Sequence, residues 1–173
     1  MFVWKKLYPL FCGLILVGSI AVAVSVIKAL GYHITYSATA SMPRGFYLIV
    51  PIKKINRYDI VEFIPPLLGL TFLHNQRLVP QSGLLLKYVF AIPGDNVCVR
   101  NDAIWVNDRK IGKVYRMIEG RLLPQTKICG KLEDGQYLLL SNKRPRSFDG
   151  RYFGIVAARN ILGRAIPVLL TDS

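Results

Sequence analysis

The 173-residue sequence predicts a mainly β, antiparallel domain behind one N-terminal membrane-spanning helix. Three observations carry that prediction. An apolar run without a charged residue lies near the N-terminus, and short β-branched or aromatic runs bounded by Pro, Gly, Asn and Asp follow it. After residue 30 there is no helical period of useful length.

The apolar run covers residues 7–27 and, at about 1.5 Å per residue, would span roughly 30 Å of hydrocarbon. Lys5 and Lys6 precede it and only Lys28 follows closely, so the local bias places the N-terminus in the cytoplasm and the rest outside. Ala21-Val22-Ala23 resembles a signal cleavage site, but the run continues past it, so an uncleaved anchor is expected. The chain thus divides into residues 1–30, cytoplasmic N-terminus and anchor, and residues 31–173, one extracytoplasmic domain in the periplasm or cell exterior.

Strands are expected over 46–50, 60–63, 84–92, 96–99, 103–106 and 137–140. Asn101-Asp102 and Asn107-Asp108 supply hairpin turns, and Pro93-Gly94-Asp95 reverses the strand before it. Segment 64–73, nearly all apolar and opened by Pro65-Pro66, fits neither pattern. It reads as a buried loop or short helix, or as an apolar rim dipping into a membrane interface.

The formal net charge is +13, yet the basic residues are scattered singly, which argues against nucleic acid. The charge either holds the domain near anionic lipid, at roughly 1 kcal/mol per well-placed cation, or only confers solubility. Cys12 lies in the anchor as a small hydrophobe. That leaves Cys98 and Cys129 as a candidate disulfide in an oxidising compartment. Two cysteines and the distant His33 and His74 lack ligand spacing, so neither metal nor cofactor is expected.

A serine hydroxyl needs a base within reach, and neither histidine has a triad context. Lys87 lies between Leu84-Leu85-Leu86 and Tyr88-Val89-Phe90, where apolar surroundings would lower its pKa and free a neutral amine. Ser41 precedes Met42-Pro43 and Gly45, a turn able to present a hydroxyl, with Ser37 as a nearby competitor. Thr39 is placed to help build an oxyanion hole with Ser41. Asp149-Gly150 taken alone is a common hairpin turn.

Three stretches in order, 39–47 (Thr-Ala-Ser-Met-Pro-Arg-Gly-Phe-Tyr), 87–95 (Lys-Tyr-Val-Phe-Ala-Ile-Pro-Gly-Asp) and 147–154 (Ser-Phe-Asp-Gly-Arg-Tyr-Phe-Gly), resemble the sequence boxes of the type I signal peptidase family. The short Ser-x-Pro-x-Gly-x-Tyr form is more similar to the conjugative-transfer (TraF-type) branch. The resemblance implies a β-rich peptidase domain with Ser41 as nucleophile, Lys87 as general base and Thr39 at the oxyanion position. It implies that Ser147 orients the lysine and that Asp149 and Arg151 form a bracing pair, the aspartate also bearing on activity. Tyr88, where a basic residue is common, and Gly150, where a serine is usual, depart from the pattern.

The expectation is therefore a membrane-anchored Ser-Lys endopeptidase that processes exported precursors. These would be pilin-type subunits of a conjugation or type IV secretion system, with cyclisation of the product in some cases. Its partners would be the membrane-associated precursor and the lipid bilayer. The alternatives are a housekeeping signal peptidase and, from another class, a non-enzymatic membrane-tethered scaffold. A repressor-like self-cleaving peptidase is opposed by the anchor.

Overall fold

The computed structural model describes residues 2–38, 41–76, 83–118, 120–141 and 144–171. The apolar run forms helix α1 (Phe2–Ala29), of which Phe11–Ala29 is long and apolar enough to cross a membrane. Gly31, at φ 85°, closes the helix: its N–H donates to the Lys28 carbonyl and that of Tyr32 to the Ile27 carbonyl. This reciprocal pair satisfies carbonyls that a helix end otherwise leaves open.

The chain then forms β1 (His33–Ser37), β2 (Gly45–Val50), β3 (Ile60–Phe63), α2 (Leu67–Asn75), β4 (Leu85–Ala91), β5 (Asn96–Arg100), β6 (Ala103–Val106) and β7 (Arg109–Lys113). After these come β8 (Met117–Ile118), β9 (Arg121–Leu122), β10 (Cys129–Lys131), β11 (Gln136–Leu140), α3 (Gly150–Phe153), β12 (Val156–Ala157) and β13 (Ile161–Leu170). A seven-stranded sheet runs in the order β1-β2-β13-β3-β4-β11-β12, a four-stranded sheet in the order β10-β5-β6-β7, and β8 and β9 form a separate pair. All of these pairings are antiparallel.

Alternation along the strands sorts their apolar residues into core faces. Val61, Phe63, Val89 and Leu139 pack with Phe153 of α3 on one face, while Tyr47, Ile49 and Ala165 form a smaller cluster. Ala91, Leu138 and Leu140 meet Val97, Ile104 and Val106 of the four-stranded sheet, with Tyr152 among them. Each Val, Leu, Ile and Phe among them contributes on the order of 1.5–3 kcal/mol by leaving water. Asn101, Asp102, Asn107 and Asp108 have φ of 52°, 50°, 48° and 61°, the paired left-handed residues that two-residue hairpins require.

One expectation is met and one strand was missed. Segment 64–73 takes its short-helix reading as α2, which starts only after Pro66 has served as its N-cap. Proline there costs nothing, because the first N–H groups of a helix are unpaired anyway. The longest strand, β13, was hidden by Gly163, Arg164 and Pro167. Its pairing with β2 slips between Pro167 and Leu169, the irregularity that a residue without an N–H is expected to cause.

Two covalent and steric constraints are open to test. Cys98 and Cys129 are register partners across β5 and β10, joined as a disulfide at a sequence separation of 31. Reduction is expected to lower stability by about 3–4 kcal/mol, read as the denaturant midpoint with and without reductant. At Gly150, a Cβ would lie 2.8 Å from the Leu139 carbonyl oxygen and 2.8 Å from Leu138 Cδ1. The glycine at this position therefore has a cause, close approach of α3 to β11. Gly150→Ser is expected to cost about 1–3 kcal/mol in a thermal melt, as overpacked sites do.

Candidate active site

Strand β4 places Lys87 on the same face as Leu85 and Val89, opposite Val61 of β3, with only 3% of its surface exposed. Its Nζ donates to Ser147 Oγ at 3.0 Å. Burial pushes the Lys87 pKa down to about 8; Asp149 opposes the shift and Arg151 adds to it. A hydroxyl can donate as well as accept, so Ser147 can serve the ammonium and the neutral amine alike. Tyr88 lies on the opposite face, paired in register with Ile60 and Leu140, so the missing basic residue leaves this network intact.

Asp149 is completely buried and caps α3. It accepts from Arg151 Nε at 2.8 Å and Nη2 at 2.7 Å, a two-point ion pair, and from the Arg151 backbone N–H at 3.2 Å. The remaining guanidinium donors reach the carbonyls of Lys113, Pro145, Arg144 and Ser147. One arginine thus fixes the end of β7 and the 144–147 segment against the aspartate. Leaving either charge alone in this interior would be strongly unfavourable, which makes the pair a rigid unit.

Ser41 is half-buried in the turn before β2, followed by the buried Met42. Hydrogen bonds from three other segments or side chains help hold this turn. Ser141 Oγ donates to the Ser41 carbonyl at 2.5 Å, Tyr47 Oη to the Pro43 carbonyl at 2.8 Å, and the Thr171 N–H to the Arg44 carbonyl at 2.9 Å. Gly45 has φ 142°, and a Cβ there would meet the Leu169 carbonyl oxygen at 2.1 Å, so only glycine lets β2 lie this close to β13.

A hydrogen-bonded sequence of residues links the two predicted partners. Ser41 is joined to Ser141, whose N–H donates to Asp149 Oδ2 at 3.0 Å. Asp149 is bound to Arg151, Arg151 to the Ser147 carbonyl, and Ser147 to Lys87. Thr39 lies outside the described residues. Ser37 is the buried last residue of β1, register partner of Gly45, in a ladder instead of the turn. His33 pairs with Glu62 at 2.6 Å, and Glu62 alternates to the face away from Lys87, while His74 lies in the last turn of α2.

Sequence reasoning missed Ser141. For Ser141 the available signal was a polar residue directly ending an apolar strand, eight positions before Asp149. Tyr47 was read as the last residue of the first motif, without its bond to the Pro43 carbonyl.

Residues 5–170 match the family described as "Signal peptidase, peptidase S26". The chain is 25% identical over 122 residues to signal peptidase I V of Bacillus subtilis (strain 168), covering 64% of each chain. It is 30% identical over 124 residues to signal peptidase I of Bacillus caldolyticus, covering 65% of this chain and 60% of that relative. Plasmid transfer protein TraF of Escherichia coli is 31% identical over 146 residues, with 77% of this chain and 81% of the relative covered. The chain therefore spans less than two thirds of those two signal peptidase I relatives and about four fifths of the transfer protein. A match that runs from the anchor to the end of β13 shows that this chain belongs to the S26 signal peptidase family.

Proposed function

We propose that the protein is a membrane-anchored serine endopeptidase in which Ser41 is the nucleophile and Lys87 the general base. The observation that carries this reading is the buried Lys87 amine, with its lowered pKa and its contact to the Ser147 hydroxyl. An amine that is partly neutral near pH 8 can take a serine proton, whereas an ordinary exposed lysine is almost fully protonated there.

In this mechanism the proton of the Ser41 hydroxyl passes to Lys87 as the serine oxygen attacks a substrate carbonyl. The Ser41 N–H and the Thr39 hydroxyl stabilise the oxyanion that forms. Collapse of the tetrahedral species transfers the proton to the leaving amine and leaves an acyl-enzyme. Water, activated by the same amine, releases the acyl product. Ser147 orients the amine, and Asp149 with Arg151 holds the surrounding backbone.

The substrate we favour is an exported precursor still attached to the membrane, of the pilin type used in conjugation. The short Ser41-Met42-Pro43-Arg44-Gly45-Phe46-Tyr47 form and the similarity to transfer protein TraF over 77% of this chain support this reading; coverage does not separate it from a housekeeping role, since signal peptidase I of Leptolyngbya laminosa matches 84% of this chain. In the transfer reading, the product's own terminal amine can replace water and close a ring. In this reading the enzyme sits in the cytoplasmic membrane with its domain outside, supported by the apolar helix and by Lys5 and Lys6 before it. Apposition to lipid is supported by exposed Leu67 and Leu68 on α2 and by Ile34, Tyr36, Phe46 and Ile166 on the outer side of the β1-β2-β13 edge.

Two outcomes are expected. Full-length wild type should cut a pilin-type precursor, while Ser41→Ala and Lys87→Ala should each lose at least about 10³-fold in rate. Product masses by mass spectrometry separate a linear product from one lighter by a water. Full activity in both variants would remove the assignment of Ser41 and Lys87, whereas absence of cleavage by wild type would favour a scaffold role. The second outcome concerns pH. Because the base must be neutral, and the folded amine titrates near 8, kcat should rise about tenfold per unit below that value and level off above it. A rate independent of pH between 6 and 9 would exclude Lys87 as the base.

A further inference from the structure

Ser141 has no part in the chemistry just described, yet it touches both ends of the site's support. It follows the last residue of β11 and is buried. Its backbone N–H donates to Asp149 Oδ2 at 3.0 Å and its hydroxyl to the Ser41 carbonyl at 2.5 Å. Asp149, by contrast, spends its other contacts on Arg151. The aspartate thus reaches the serine turn through one residue whose backbone faces one way and whose side chain faces the other.

We propose that Ser141 is a positioning residue that sets the Ser41 peptide plane, and that Asp149 acts on the nucleophile through it. This rests on the reading of Ser41 as nucleophile. The argument is geometric. Fixing the Ser41 carbonyl restricts rotation about the adjoining Cα–C bond, and the direction of the Ser41 side chain and of the following peptide is set with it. Met42, Pro43 and Gly45 hold the turn from its far side. The bond from Ser141 holds it from the near side, beside the reacting hydroxyl. Reaction geometry is demanding enough that a misplacement of about 1 Å can cost about 10²-fold in rate.

The site also supplies a clean isosteric comparison. A cavity of about 190 Å³ adjoins Ser141, lined by Ile104, Ile111, Leu140, Pro145 and Arg151 among others. Ser141→Thr keeps the hydroxyl and Ser141→Val has the same shape without it. The experiment uses the full-length protein in lipid nanodiscs, a synthetic precursor peptide, and thermal melts of every variant. Ser141→Ala and Ser141→Val are expected to lose about 10- to 100-fold in kcat with KM and melting temperature nearly unchanged. Ser141→Thr should recover most of that loss.

The pH profile separates positioning from base chemistry. In Ser141→Ala the plateau should fall while the midpoint stays near that of wild type, because Lys87 and its neighbours are untouched. In Asp149→Asn the midpoint should also move to lower pH, because a charge that favours the ammonium is gone. Wild-type kcat in Ser141→Ala and Ser141→Val would overturn the proposal while leaving the dyad standing. So would loss of folding in Ser141→Val but not in Ser141→Thr, since the hydroxyl would then be structural. Undiminished cleavage by a parallel Ser41→Ala control would remove the nucleophile itself, and the proposal with it.

Discussion

The constraint on which the site depends is the burial of a lysine amine in an apolar sheet. A cation at that depth loses most of its hydration, and the folded structure answers in two ways. It weakens the charge, by lowering the pKa to about 8, and it supplies one hydroxyl partner, Ser147. It also places a fully paired carboxylate and guanidinium nearby, whose opposing influences on the amine partly cancel. A lone aspartate would hold Lys87 charged, and a lone arginine would depress it further. The pair keeps the local field moderate while serving as the frame for α3 and the segment before it.

That frame explains why so short a helix as α3 matters. Four residues cannot be stable on helix propensity alone. Asp149 caps it, Arg151 ties it to four carbonyls, and Tyr152 and Phe153 extend into two separate apolar clusters. Gly150 lets it press against β11, which pairs with the lysine strand β4. Packing and polar contacts therefore fix the same segment from opposite sides, and Ser147 inherits that rigidity.

Much of the β framework was legible in the chain because local signals and tertiary demands agreed. The runs 60–63 and 103–106 are β-branched or aromatic-rich and end at turn residues, and both coincide with observed strands. The Asn-Asp turns were legible for the same reason. β13 was not, because each of its irregular residues answers to something distant. Gly163 is demanded by Ile49 and Val50, where a Cβ would come within 2.6 Å and 2.7 Å, and Arg164 reaches Asp59 at 2.9 Å. For α2 the prolines that begin it left loop and short helix both open. In the site, ordered motifs pointed to Ser41, Lys87, Ser147, Asp149 and Arg151 as a group, and the hydrogen bonds join them. Ser141 escaped because what matters is its place between two segments, a relation with no local pattern.

The closed cap at Gly31 leaves little slack between membrane and sheet. Only residues 30–32 separate α1 from β1, a stretch that covers at most about 11 Å even fully extended. β1 adds about 16 Å before the chain approaches the Ser41 turn. An enzyme held on so short a tether has a limited working radius. In the proposed peptidase reading, bonds far out in the aqueous phase lie beyond it, whereas a bond presented just outside the bilayer, beside a substrate's own hydrophobic segment, comes to it repeatedly and at high local concentration. Selection among precursors would then begin with distance from the membrane, before any side chain is read.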